Sequence, residues 1–203
     1  MWGNAKTAGA KELALSHANY AALYENSYNL SVYEVSKGLT RTPAFTKLPT
    51  TQIEAALRHQ FMGKNYSQRI WKNTNDLAAQ LQKEVAKTII TGESPQKASK
   101  RLRERYGVAK YKAERLMRTE TARFQNEGTA DAHQSMGLDN WRWSATLDNR
   151  TDTDCGIREN HIYSYSAGDQ QPPLHANCRC SLVAYLPAGL EPSLRIARGK
   201  DGK

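Results

Sequence analysis

The apolar period changes at Gly137, and that change limits the possible fold more than any other feature of the chain. Upstream, apolar residues recur at intervals of three and four, the spacing of one helix face. Downstream, "NWRWSATLD" alternates, with Trp141, Trp143, Ala145 and Leu147 on one side, the two-residue period of a half-buried strand. The expected fold class is α+β, with long helices in the N-terminal two-thirds and a small Cys/His-containing β domain at the C-terminus. Residues 1–50 read as an N-terminal helix and linker, 51–137 as a helical region, 138–187 as the small β domain and 188–203 as a loose tail.

Within the helical part, residues 5–37 carry Leu13, His17, Tyr20, Tyr24, Ser27, Tyr28 and Val35 near a 3.6-residue spacing, with Gly38 as a stop. So many tyrosines on one stripe suggest plain packing, within the chain or against another subunit. "GLTRTPAFTKLPT" reads as a linker, followed by a short helix over residues 51–60. A long helix is expected over 67–91, with Ile70, Trp71, Leu77, Leu81, Val85 and Ile89 in a stripe. Ser67 is its candidate N-cap and Gly92 its candidate end. A further helix starts at Ser94–Pro95 and closes at Gly107, and another spans 108–136. "HIYSY" and "CSLVAYL" read as the second and third strands. No internal repeat stands out, and no apolar run is long enough to span a membrane. The first twenty residues lack the apolar core and cleavage pattern of a secretory signal, so a reducing cytoplasm is the expected setting.

Charge is concentrated. Residues 58–123 hold 16 of the 29 Lys and Arg but only 6 of the 20 Asp and Glu, a local balance of +10 in a chain whose net charge is +9. Such a block attracts polyanions, either nucleic acid or an acidic protein surface. The alternative is a solvated helix face, since no aromatic-rich binding motif accompanies the charge. Lys97, Lys100, Arg101, Arg103, Arg105, Lys110 and Lys112 are the candidate nucleic-acid contacts.

Chemistry-bearing residues gather in "LHANCRC", residues 174–180, and in "DNRTDTDCG". Cys155, His175, Cys178 and Cys180 supply the number and type of ligands that a structural Zn2+ takes. Two thiolates on one zinc lie about 3.8 Å apart, whereas side chains two apart on a strand stand roughly 6–7 Å apart. A turn at Arg179 is therefore required. A disulfide from Cys155 to Cys178 or Cys180 remains open, as does a cysteine nucleophile with His175 or His161 as base. So does plain burial of small side chains. The zinc-deaminase pattern fails, because no glutamate follows His175 and the cysteines are one residue apart. In "RTETARFQNEG", Arg118 and Glu120 read as surface residues making short-range ion pairs, with inward bonding to the Cys155 loop as the alternative. Asp148 and Arg150 read as turn residues ahead of Cys155. An EF-hand loop counted from Asp148 lacks its glycine, because Thr153 stands sixth.

In order along the chain, "YSQRIWKNTNDLAAQLQKEV", "SPQKASKRLRERYG", "RTETARFQNEG", "WRWSATLDNRTDTDCG" and "PPLHANCRCSLV" resemble the phage minor head proteins of the Mu F-like, or head morphogenesis, family. The resemblance covers about residues 66–187 and rests on Arg118, Thr119, Glu120, Asn126, Asp148, Arg150, Thr151, Cys155, Pro173, His175, Asn177, Cys178, Arg179 and Cys180. One departure is "RENH", residues 158–161, where relatives commonly carry an Asp-Gly pair. The resemblance implies a non-enzymatic minor capsid protein of a tailed phage or prophage. Such a protein associates with the portal protein and other capsid or scaffold proteins, contacts packaged DNA, and resides in the virion head and host cytoplasm. The competing class is a metal- or cysteine-dependent hydrolase or toxin-like effector carried in the head, with Glu159 or His161 as base. A sequence-specific DNA-binding regulator finds no helix-turn-helix or zinc-finger spacing to support it.

Overall fold

The computed structural model describes residues 2–37, 47–91 and 95–186. Residues 38–46 of the linker read over 38–50, the stop and cap residues Gly38, Gly92 and Ser94, and the tail from Pro187 lie outside these residues. Four helices come first: α1 (Trp2–Lys37), α2 (Thr50–Arg58), α3 (Tyr66–Thr91) and α4 (Pro95–Ser135). After Gly137 come β1 (Asn140–Ser144), the short helix α5 (Thr153–Ile157), β2 (Ile162–Ser164) and β3 (Ser181–Ala184). The α+β division expected from the change of period is the observed one.

α1 and α4 approach closely because Gly128 has no side chain. A Cβ there would stand 2.5 Å from the Tyr24 carbonyl oxygen and 3.2 Å from Cβ of Ser27. The tyrosine stripe faces this contact, so its packing lies within the same chain. Tyr20, Tyr24 and Tyr28 are buried with Leu57, Tyr66, Ile70 and Phe124 in the first core. Their hydroxyls reach across to α4: Tyr24 to Asp131, and Tyr28 to Ser135 at 3.0 Å. A tyrosine can be buried in this way because its apolar ring fills space while its hydroxyl still finds an acceptor.

Two sequence expectations are corrected. Gly107 does not close a helix; α4 runs through it as one element of 41 residues. A helical glycine costs only about 1 kcal/mol relative to alanine. On either side of it, α4 is tied to α3 (Arg101 and Arg105 to Glu84) and to α1. Nor does Ser67 cap α3. Asn65 does, in a reciprocal box: the Gln68 amide donates to Asn65 Oδ1 at 3.0 Å and the Asn65 amide to Gln68 Oε1 at 3.1 Å.

The three strands form an antiparallel sheet in the order β2-β1-β3. Trp141 and Trp143 point to the buried side of β1 and pack with Ala130, Cys155, Cys178, Cys180 and Leu182 in a second core. Asn126 of α4 covers the free edge of β3. Its amide donates to the Cys180 carbonyl at 3.2 Å and accepts from the Leu182 N–H at 3.0 Å. One side chain thus takes the place of a neighbouring strand and joins sheet to helix.

Candidate metal centre and basic arm

Each ligand is placed by its own loop. Asp148 starts a tight turn: its carboxylate accepts from the Arg150 amide at 2.8 Å, and its amide donates to Thr151 Oγ1 at 2.8 Å. Asp152 then N-caps α5 through the Asp154 amide, and Cys155 is buried on that short helix. The second loop is tied to the first by Arg179, whose guanidinium forks onto Asp148 at 2.5 and 2.6 Å. That guanidinium, with the Arg150 amide, holds the Asp148 carboxyl well below the usual carboxylate range. Residues 178–180 lie outside β3, so Arg179 sits in the non-strand geometry that the ligand spacing requires.

The second loop is also pinned to α4. The Asn177 amide donates to Thr119 Oγ1 at 3.0 Å, and Asn177 adopts a left-handed φ of 63°. Beside Thr119, Glu120 is fully buried between Arg69 and Arg123, and Arg123 continues to Glu127 at 2.8 Å. The expectation of a surface Glu120 is therefore corrected. The helix face that carries it turns toward α3, and Arg69 of α3 and Arg123 of α4 compensate the buried carboxylate. Arg118 does stay on the surface, 3.3 Å from Glu114. Arg150 is exposed. Sequence reasoning missed the anchoring roles of Thr119, Asn126 and Arg123; the available signals are the i+3 spacing of Arg123 from Glu120 and the seven-residue spacing that puts Thr119 and Asn126 on one helix face.

The ligand atoms of Cys155, His175 and Cys178 converge within 4.8 Å of one another. Cys155 Sγ lies 3.3 Å from His175 Nε2 and 3.7 Å from Cys178 Sγ. The latter is close to the about 3.8 Å edge of a zinc-thiolate tetrahedron and too long for a disulfide. All three thiols are free and buried. Burial, and after it the neighbouring Cys180 and Cys178 thiols, push the Cys155 thiol up; burial does the same for Cys180. Cys180 falls outside the group of three but neighbours both other thiols. The Trp143 indole N–H, buried without a hydrogen-bond partner, lies against Cys180. Clustered thiols that resist ionisation, beside an orphan N–H donor, suit a divalent soft cation: it would favour the thiolates, and a thiolate would accept from Trp143. Glu159, a candidate base, is instead committed to the Ala145 amide, and His161 is exposed.

The basic residues follow a different pattern from the one expected. Arg101 and Arg105 both bind the buried Glu84 of α3, at 2.7 Å each. Lys110 stands 3.9 Å from Glu114. Lys97, Lys100 and Arg103 are exposed and Lys112 is half-buried. Part of the charge therefore braces the α3–α4 pair, and part is exposed.

The phage Mu protein F like family model matches residues 79–183, just over half of the chain. The chain belongs to the phage Mu protein F like family. The matched span of this Mu F-like chain runs from the middle of α3 to β3, and so takes in the basic arm, the Thr119–Asn126 anchors and the Cys/His loops. No curated protein and no solved structure matches the chain. No helix among the described residues is long and apolar enough to cross a membrane.

Proposed function

We propose that this Mu F-like chain is a minor capsid protein of a tailed phage or prophage that acts in head assembly or DNA delivery. It associates with the portal protein and with other capsid or scaffold proteins, in the virion head and the host cytoplasm. The membership of residues 79–183 in the family carries this reading. The basic arm, with exposed Lys97, Lys100 and Arg103, supports contact with packaged DNA. Co-expression with the portal protein of the same phage, followed by affinity purification and analysis of purified heads, tests it. Recovery with portal protein and presence in heads are expected; absence from both would overturn the assignment.

The β domain binds one structural Zn2+ through Cys155, His175 and Cys178, with Cys180 closing the tetrahedron. When bound, zinc supplies folding energy to a domain with a small core. Metal analysis is expected to find one zinc per chain, and Cys178→Ser to lose it with a lowered melting temperature. A zinc-free chain of unchanged stability would refute the staple.

One observation favours a second reading, a metal- or cysteine-dependent hydrolase or toxin-like effector. A groove of about 1060 Å³ opens beside His175 and Cys178, and Cys180 stands outside the converged three ligands. X-ray absorption at the zinc edge separates the two. Four protein ligands support the staple; three ligands and a water support the enzyme.

A further inference from the structure

Residues 61–64 make a tight turn between α2 and α3. The Phe61 amide donates to the Lys64 carbonyl at 3.1 Å and the Lys64 amide to the Phe61 carbonyl at 3.3 Å. Its two central residues, Met62 and Gly63, both have positive φ, 50° and 76°. Glycine takes that geometry freely; methionine does so rarely. Met62 is also 65% exposed, so burial does not explain the conformation. The turn is held by Arg69, whose guanidinium bonds the Phe61 carbonyl and the buried Glu120. Unusual backbone held by a buried ion network is the kind of feature that collects at binding sites.

The turn places Lys64 at a cavity of about 380 Å³ between α3 and α4. Five cations line it, Lys64, Arg69, Lys72, Lys112 and Arg115, against the single carboxylate of Asp76. Asp76 pairs with Lys72 at 2.7 Å, and Arg69 with Glu120. Among the described residues, no carboxylate lies within ion-pair distance of Lys64, Lys112 or Arg115. Like charges held around one small cavity repel, and an anion with several acceptor oxygens relieves that repulsion. Lysines contribute compact charges and Arg115 a donor fork, a combination suited to phosphate. Phe61 and Leu116 add apolar wall against which a base can lie.

We propose that this cavity is a phosphate-binding site for a nucleotide, either free or within a nucleic-acid strand. It shares only Lys112 with the residues expected to touch DNA, and it does not rest on the DNA reading. Two probes at about 50 mM salt test it on the full chain: ATP by titration calorimetry, and a fluorescein-labelled single strand of about twelve nucleotides by anisotropy. The expected result is that at least one probe binds. Lys64→Ala with Lys112→Ala then weakens it about tenfold or more, and Lys64→Ala alone by a smaller factor. Lys97→Ala with Lys100→Ala changes ATP binding little, and melting temperatures confirm that every variant is folded. Binding of ATP alone identifies a free nucleotide as the ligand; binding of the strand, displaced by ATP, identifies a strand phosphate. The proposal is overturned if neither probe binds, or if the Lys64/Lys112 variant binds as the parent does. Loss of strand binding only in the Lys97/Lys100 variant removes this site and leaves the DNA reading standing. ATP binding without strand binding does the reverse.

Discussion

Asn126 shows how much one side chain can decide. Its amide serves both the Cys180 carbonyl and the Leu182 N–H, and no other residue type of that length offers a donor and an acceptor in one plane. Asn126→Ala is expected to leave both groups unsatisfied, at about 1–3 kcal/mol each, measured as a lowered urea midpoint. Asn126→Asp should not rescue, because a carboxylate cannot donate to Cys180. His133 offers a test by pH. Its Nδ1 lies 2.8 Å from the Tyr165 hydroxyl, and burial holds its imidazole down to about 4. The unfolded chain therefore takes up a proton near pH 6.5, whereas the folded chain does so only near pH 4. The folded state binds fewer protons across that window, so this residue's contribution to stability is present above it and falls as pH drops through it. The stability difference between the parent and His133→Gln should shrink by up to roughly 3 kcal/mol between pH 7 and pH 4. A constant difference across that range would contradict the burial argument.

At the scale of elements, the α1–α4 contact depends on Gly128. Alanine there gains helix propensity of about 1 kcal/mol, but its Cβ meets the Tyr24 backbone, which cannot rotate away as a side chain would. Gly128→Ala should therefore destabilise by about 1–3 kcal/mol, read from thermal melts, while Gly107→Ala, with nothing within 4 Å of its Cβ position, should stabilise slightly. The same logic explains why α4 is one long helix. A glycine that packs against nothing is a weak stop, and the ion pairs from Arg101 and Arg105 to Glu84 hold α4 on α3 just ahead of Gly107.

For the molecule as a whole, α4 joins two cores. Its C-terminal half contributes Phe124 and Ala132 to the tyrosine-rich core and Ala130 to the tryptophan-cysteine core. Metal removal should therefore be felt beyond the β domain. A chelator is expected to lower the melting temperature of the whole chain in a single transition, whereas Cys155→Ser should abolish the chelator's effect. DNA association, if carried by the arm, should weaken steeply as salt rises, because phosphate contacts release counterions. An affinity independent of salt between about 50 and 200 mM would count against electrostatic binding.

The sequence by itself was enough for the change from helical to strand period at Gly137 and for the apolar helix faces, because periodicity is a local property of the chain; it offered Cys155, His175, Cys178 and Cys180 as one ligand set by residue type, and the fold brings the first three of them together. It was also enough for the family, through motifs that lie close together in order. Only the tertiary structure decided which polar residues are internal. Glu120 and Arg123 look like surface pairs at helical spacing and become a buried network because Arg69, 51 residues from Glu120, meets them. Arg101 and Arg105 look like DNA contacts and become braces because Glu84 is buried beneath them. A charge is assigned by its nearest opposite charge in space, and no local pattern reports that distance. Lys64 carries no motif; it stands at a cationic cavity because a turn with two left-handed residues sets it beside Lys112 and Arg115.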